Sequence, residues 1–189
     1  MAKSKRAQTN TQLFGRKAGG KVALIIKYHN YFMEIKVFVE IPKFSKQKFE
    51  FDEELQKIKL DRTLYGPIYF PFEYGFILET RGDDGDPLDC VLLSSFPTFP
   101  GCIIEAEPIG VLEMEDEEGI DNKILAKPAE KIDPRFREIK DVDDLPEHLK
   151  KEIREFFENY KKLEPGKWVK LKDFKEKKVA EEMIFKARK

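Results

Sequence analysis

From Met33 onward, apolar and polar positions alternate. Ile35, Val37, Val39 and Ile41 fall on one side and Lys36, Phe38 and Glu40 on the other, which predicts a half-buried strand. Lys48 to Phe51 alternates in the same way, and Ile58 and Leu60 follow. Short apolar segments at 90–93, 102–106, 110–114 and 123–126 are separated by Gly, Pro or acidic turns. That spacing suits an antiparallel barrel or sandwich.

The period then changes. Leu149, Ile153, Phe156, Phe157 and Tyr160 form the stripe of an amphipathic helix. Asp143 and Asp144 stand where caps belong, Pro146 suits the first turn, and Pro165-Gly166 is the expected stop. A second helix is expected over about 176–186, burying Val179, Ala180, Met183 and Ala187. Strands followed by helices predict a small β-barrel with helices packed outside.

Residues 1–32 lack this patterning over most of their length. They are polar and basic, and read as an N-terminal extension, disordered or foreign to the natural start; residues 33–189 form the single domain. The apolar stretch Val22 to Ile26 is broken by Lys27 and does not read as a signal peptide. Gly15 to Lys21 fits the start of a phosphate loop, but Val22 replaces the required Ser or Thr and no helix follows.

Charge adds to the picture locally. Charged residues reach 38% against about 25% in ordinary soluble proteins, yet the formal net charge is only −1. No overall field favours nucleic acid or an anionic membrane, so anion recognition must come from clustering. Two cysteines, Cys90 and Cys102, build no disulfide framework, which fits a cytoplasmic protein. No apolar run approaches the ~20 residues of a membrane helix.

The sharpest chemistry lies in Asp83-Asp84-Gly85-Asp86-Pro87-Leu88-Asp89. Asp84 and Asp86 share one side of an extended backbone, and Asp89 can return to the same centre. Converging carboxylates repel one another, and divalent ions relieve the repulsion; oxygen-only ligands select Mg²⁺, or Mn²⁺. Taken alone, the segment also reads as a common Asp-Gly turn. Downstream, Asp116 and Asp121 flank a glycine turn, while Glu115, Glu117 and Glu118 read as a solvated tip. Lys48, Arg62 and Lys123 lie on or beside strands, with Tyr74, Tyr160 and Lys161 as further donors for a phosphate. His29 and His148 read as solvent residues, and Cys90 as core facing away from Asp89.

Together, Val39-Glu40-Ile41-Pro42, Lys48-Phe49-Glu50, Asp61-Arg62, Phe70 to Gly75, Asp84 to Asp89, Asp116 to Lys123 and Phe156 to Lys161 resemble the family I soluble inorganic pyrophosphatases of the short prokaryotic type. The resemblance covers roughly residues 35–175. It implies a mainly β fold with α, a distorted five-stranded OB-like barrel with two outer helices. It implies Mg²⁺-dependent hydrolysis of pyrophosphate by a water activated between metal ions, with no covalent intermediate. By position, Asp84, Asp89, Asp121, Asp116 and Glu40 resemble the metal ligands. Asp86 matches the proton acceptor. Lys48, Arg62, Lys123, Tyr160 and Lys161 match the groups that grip phosphoryl oxygens, and Glu50 and Tyr74 match supporting positions. A homohexamer is the implied assembly. One departure stands out: the family usually has tyrosine at Phe70, and the neighbouring Tyr69 should point the opposite way. Two other readings stay open. One is a barrel binding single-stranded nucleic acid on platforms such as Phe38, Phe49, Phe51, Phe70, Phe72 and Phe76. The other is an inactive pyrophosphatase-like binder.

Overall fold

The computed structural model describes residues 33–188. Nine strands and two helices are present among them: β1 Ile35–Ile41, β2 Gln47–Asp52, β3 Lys57–Thr63, β4 Glu73–Ile77, β5 Asp89–Leu92, β6 Ile103–Asp116, β7 Gly119–Ile120, β8 Lys123–Pro128, α1 Glu147–Asn159, β9 Val169–Glu176 and α2 Lys177–Ala187. Five strands close a ring in the order β1-β4-β5-β8-β6, and β6 returns to β1. The β5–β8 pairing is parallel and the other ring pairings are antiparallel. This is the distorted OB-like barrel that the resemblance implies. The hairpin β2-β3 is a separate two-stranded sheet outside the ring.

Alternation decides which face each side chain joins. Val91 and Leu93 enter an apolar cluster with Phe156 and Phe157 of α1, whereas Cys90 and Leu92 enter a second cluster with Ala180 and Ile184 of α2. Asp89 precedes Val91 by two positions and therefore shares its side, as Lys123 shares the side of Leu125. The charged groups thus rise from the α1 face of the sheet, and Cys90 points away from them.

Several expectations need correction. The segments 102–106 and 110–114 are not two strands but one, β6, whose register shifts between Pro108 and Gly110. Proline removes a ladder donor there, and the bulge absorbs it. Gly110 is required at that point: a Cβ would stand 2.6 Å from the Lys175 carbonyl oxygen and 2.7 Å from Val142 Cβ. A strand, β9, runs between the two helices, so strands do not all precede helices. Its burial is irregular, with no clean period of two to announce it. Asp143 and Asp144 do not cap α1. They belong to a 3-10 turn, Val142–Asp144, where Asp144 accepts from the Lys140 and Asp141 N–H groups; Pro146 directly precedes α1. Helix α1 ends at Asn159, before Pro165, and the turn that follows brings Lys161 inward to Asp116. On α2, Ile184 is buried with Ala180 and Ala187, while Val179 and Met183 are half-buried.

The aromatic side chains face one another. Phe38 stacks on Phe76 with centroids 5.0 Å apart, and Phe51 meets Phe38 edge-on at 5.2 Å. Phe70 and Phe72 are buried against Phe156 at 4.6 and 5.3 Å. This internal packing leaves those rings little open face for bases. Residues 1–32, with His29, Val22 to Ile26 and the segment Gly15 to Lys21, lie outside the described residues.

Candidate active site

The centre of the site is Lys123, the first residue of β8, whose side chain is 3% exposed. Its Nζ donates to Asp89 Oδ2 at 2.5 Å and also to Asp121 Oδ1. Asp89 opens β5, the parallel neighbour of β8, so strand pairing alone brings it beside Lys123. Asp121 follows β7, and its N–H donates to the Met114 carbonyl at 2.9 Å, which pins the turn to β6. Burial opposes the charge of Lys123, but Asp89 and Asp121 outweigh it and hold the ammonium above its usual range. Asp121 is raised by burial and by Asp89 and Asp116, with Lys123 acting in the other direction.

A second ammonium lies alongside. Lys161, in the turn after α1, donates to Asp116 Oδ2 at 2.5 Å and Glu117 Oε1 at 3.3 Å. Tyr160 stacks on Phe156 at 5.4 Å and lies within 5.5 Å of the Lys161 ammonium. Tyr74, on β4, faces the Lys123 ammonium at 5.6 Å from its ring centroid. Burial lifts both phenols, and the Asp89 and Asp121 carboxylates push in the same direction. Both hydroxyls therefore remain protonated donors at neutral pH.

The hairpin contributes the remaining cations. Lys48 Nζ pairs with Glu50 and reaches Asp61 Oδ2 at 3.3 Å. Arg62 pairs with Asp61 through Nη1 and with Glu164 through Nε at 2.9 Å. Glu40, on β1, accepts from the Phe51 N–H at 2.6 Å and so joins barrel to hairpin. Burial pushes its carboxyl up to about 7; Phe51 and Lys48 oppose this, while Asp89 and Glu50 add to it.

The structure brings Glu40, Asp89, Asp116, Asp121, Lys123, Lys161, Tyr74 and Tyr160 into one electrostatic neighbourhood, with Lys48 and Glu50 beside Glu40. Asp84 and Asp86 are exposed on the turn before β5. Their contacts are local: Asp84 Oδ1 accepts from the Asp86 N–H at 2.9 Å, and the Asp86 carbonyl accepts from Gly82 at 2.7 Å. Gly85 has φ +94, which a side chain would strain.

Among the described residues, no three acidic, His or Cys side chains stand close enough together to enclose a metal ion. Ammonium groups lie between the carboxylates instead. Asp89 and Asp121 nevertheless share one cationic partner, and the carboxylate donors are the hard oxygens that Mg²⁺ and Mn²⁺ prefer. The residues fit a divalent ion in their chemistry.

Two acidic residues belong to the site that the sequence did not place there. Glu117 is no solvated tip: it is half-buried and pairs with Lys161 at 3.3 Å and Lys167 at 2.5 Å. Partial burial opposes its charge, but Lys167, its own and the Trp168 backbone N–H and Lys161 hold its pKa at about 2. Glu164 is buried and reaches Arg62 across 102 positions of sequence. No periodic signal could have revealed that separation. Phe70 is 1% exposed and Tyr69 is 56% exposed, so Tyr69 does point away. His148 is exposed beside Glu152.

The family model described as inorganic pyrophosphatase matches residues 37–189. An inorganic pyrophosphatase of Nanoarchaeum equitans is 49% identical over 155 residues, covering 82% of this chain and 96% of the relative. One from Saccharolobus solfataricus is 52% identical over 154 residues, covering 82% and 90%. The solved inorganic pyrophosphatase of Helicobacter pylori is similar with a TM-score of 0.81 at 43% identity, covering 86% of this chain and 96% of that one.

Proposed function

Because the chain belongs to the inorganic pyrophosphatase family, we propose that it hydrolyses pyrophosphate to two phosphates with Mg²⁺, Mn²⁺ being a possible substitute. The observation that carries this reading is the buried Lys123 ammonium held jointly by Asp89 and Asp121. Carboxylates that converge on one cation suit divalent ions, and the cations around them suit phosphoryl oxygens.

Asp84, Asp89 and Asp121 would hold the resident metal, with Asp116 and Glu40 holding ions that arrive with the substrate. A divalent ion there supplies Lewis acidity and lowers the pKa of water. Lys123 and Lys161 bind phosphoryl oxygens as point charges, and Arg62 binds them as a planar fork. Lys48 adds a further positive charge where the leaving phosphate gains negative charge. Tyr74 and Tyr160 donate hydrogen bonds and orient the substrate, and Glu50 restrains Lys48. Asp86 is exposed, free to turn toward an attacking water and accept its proton. Water attacks phosphorus directly, so no covalent intermediate forms. The buried Phe70 keeps the ring of the usual tyrosine without its hydroxyl.

No helix among the described residues is long and apolar enough to cross a membrane. A cytoplasmic homohexamer acting on free pyrophosphate, with no nucleic-acid partner, completes the proposal. The test is phosphate release from pyrophosphate with and without Mg²⁺. Folded protein should release phosphate only with the metal, and Asp86→Asn should lose about 10²-fold in kcat. Release at background level from metal-loaded protein would overturn the reading.

A further inference from the structure

Arg62 lies on the hairpin, outside the closed ring, yet a phosphate-gripping guanidinium needs a fixed plane. A guanidinium has five N–H donors in one plane, so restraining Nε sets the direction of the rest. Two carboxylates restrain this one. Asp61 is its sequence neighbour, is 29% exposed in its side chain and is shared with Lys48. Glu164 is 7% exposed in its side chain and accepts the Nε proton at 2.9 Å. Among the described residues the guanidinium uses only Nε and Nη1 in hydrogen bonds, which leaves Nη2 available to a ligand.

The placement of Glu164 has a local cause. The Glu164 N–H donates to the Lys161 carbonyl at 2.8 Å, and the Glu164 carbonyl accepts from the Lys167 N–H at 3.3 Å. Gly166 at φ +75 lets the chain make this second turn. The same short loop therefore presents Tyr160 and Lys161 to one side of the site and the Glu164 carboxylate to Arg62.

We propose that Glu164 is a positioning residue that aims the Arg62 guanidinium at a phosphoryl oxygen and ties the hairpin to the Tyr160–Lys161 turn. This rests on reading Arg62 as a grip on substrate. Glu164 touches no reacting atom; it acts through Arg62. Held in this way, the guanidinium meets substrate already oriented, and the loss should appear in KM rather than in kcat.

The experiment is a double-mutant cycle of E164Q and R62Q on the full chain, with kcat and KM for pyrophosphate measured at saturating Mg²⁺. R62Q should raise KM at least tenfold, E164Q about threefold with kcat within twofold, and E164A about tenfold. The E164Q/R62Q double variant should match R62Q alone, because no guanidinium remains to be aimed. That double variant also avoids leaving a buried unpaired charge, so it stays informative if E164A fails to fold. Effects of E164Q and R62Q that multiply, or an E164Q KM equal to wild type, would overturn the role of Glu164 while leaving the pyrophosphatase reading intact. R62Q with unchanged KM in an otherwise active enzyme overturns the Arg62 role and this inference with it. A wild-type chain that releases no phosphate overturns the proposed function itself, and with it this role for Glu164.

Discussion

The barrel and the hairpin supply charges to the same site on different physical terms. On the barrel, Asp89, Asp116, Asp121 and Lys123 leave strands or tight turns bonded to their neighbours, and Lys123 is almost completely buried. On the hairpin, Lys48, Glu50, Asp61 and Arg62 stand on a two-stranded sheet held to the rest of the fold through few polar links: Glu40 to Phe51, Arg62 to Glu164 and Glu53 to Arg81. Their side chains are 19–44% exposed; the barrel carboxylates Asp89 and Asp121 are 32% and 24% exposed, so the contrast lies in Lys123, whose side chain is only 3% exposed. A buried pair is expensive to break because one charge is left uncompensated, whereas an exposed pair is screened by water. The comparison teaches that geometry on the barrel is fixed by folding itself, while on the hairpin it depends on individual contacts.

Changes on the barrel side should have the largest effects. Asp89→Asn removes a proposed metal ligand and half of the Lys123 anchor, and kcat should fall about 10³-fold. Near-wild-type phosphate release from this variant would break the assignment. Lys123→Met leaves Asp89 and Asp121 facing each other, and urea unfolding should show a loss of about 3 kcal/mol. The matching change on the hairpin, Lys48→Met, should cost under about 1 kcal/mol in the same measurement. Equal losses would erase the distinction between the two regions.

Glu40 tests the joint between them. Burial raises its folded pKa from 4.5 to about 7. A raised carboxyl pKa contributes stability in full below pH 4.5, and that contribution is lost as pH rises through about 7. In metal-free protein, wild type should therefore lose more stability between pH 5 and pH 8 than Glu40→Gln, by on the order of 2 kcal/mol. Parallel pH profiles would mean that Glu40 is not held in the low-dielectric position described. The smallest effect is expected from removing residues 1–32: the family match begins at residue 37 and every proposed site residue follows it. Turnover per folded chain should be unchanged.

Much of this was legible along the chain, for identifiable reasons. Strands with clean alternation, such as β1, announced themselves because one face is buried and the other is not. The Asp-Gly-Asp-Pro segment was conspicuous because a charge cluster around a glycine is unusual in sequence. Strand β9 was hidden by its irregular burial, and the continuity of β6 by a proline that reads as a break. Glu117 looked like one more acid in an acidic tip, since its pairing with Lys161 and Lys167 depends on residues more than forty positions away. Glu164 was illegible for the same reason. Local pattern reports which face a residue takes, not which distant charge it meets.

Ring closure also has a consequence in time. Strand β1 cannot complete its second pairing until Ile103 to Ala106 exist, since Ile35 pairs with Ala106 and Phe38 with Ile103. The proposed ligands begin at Glu40, and the last cation, Lys161, lies beyond α1. During synthesis the early carboxylates must therefore wait, solvated and separate, while more than a hundred further residues are made. Such long-range pairing folds slowly compared with local structure. The growing chain should acquire its chemistry in one late step, when the turn after α1 delivers Lys161 to Asp116, rather than by degrees.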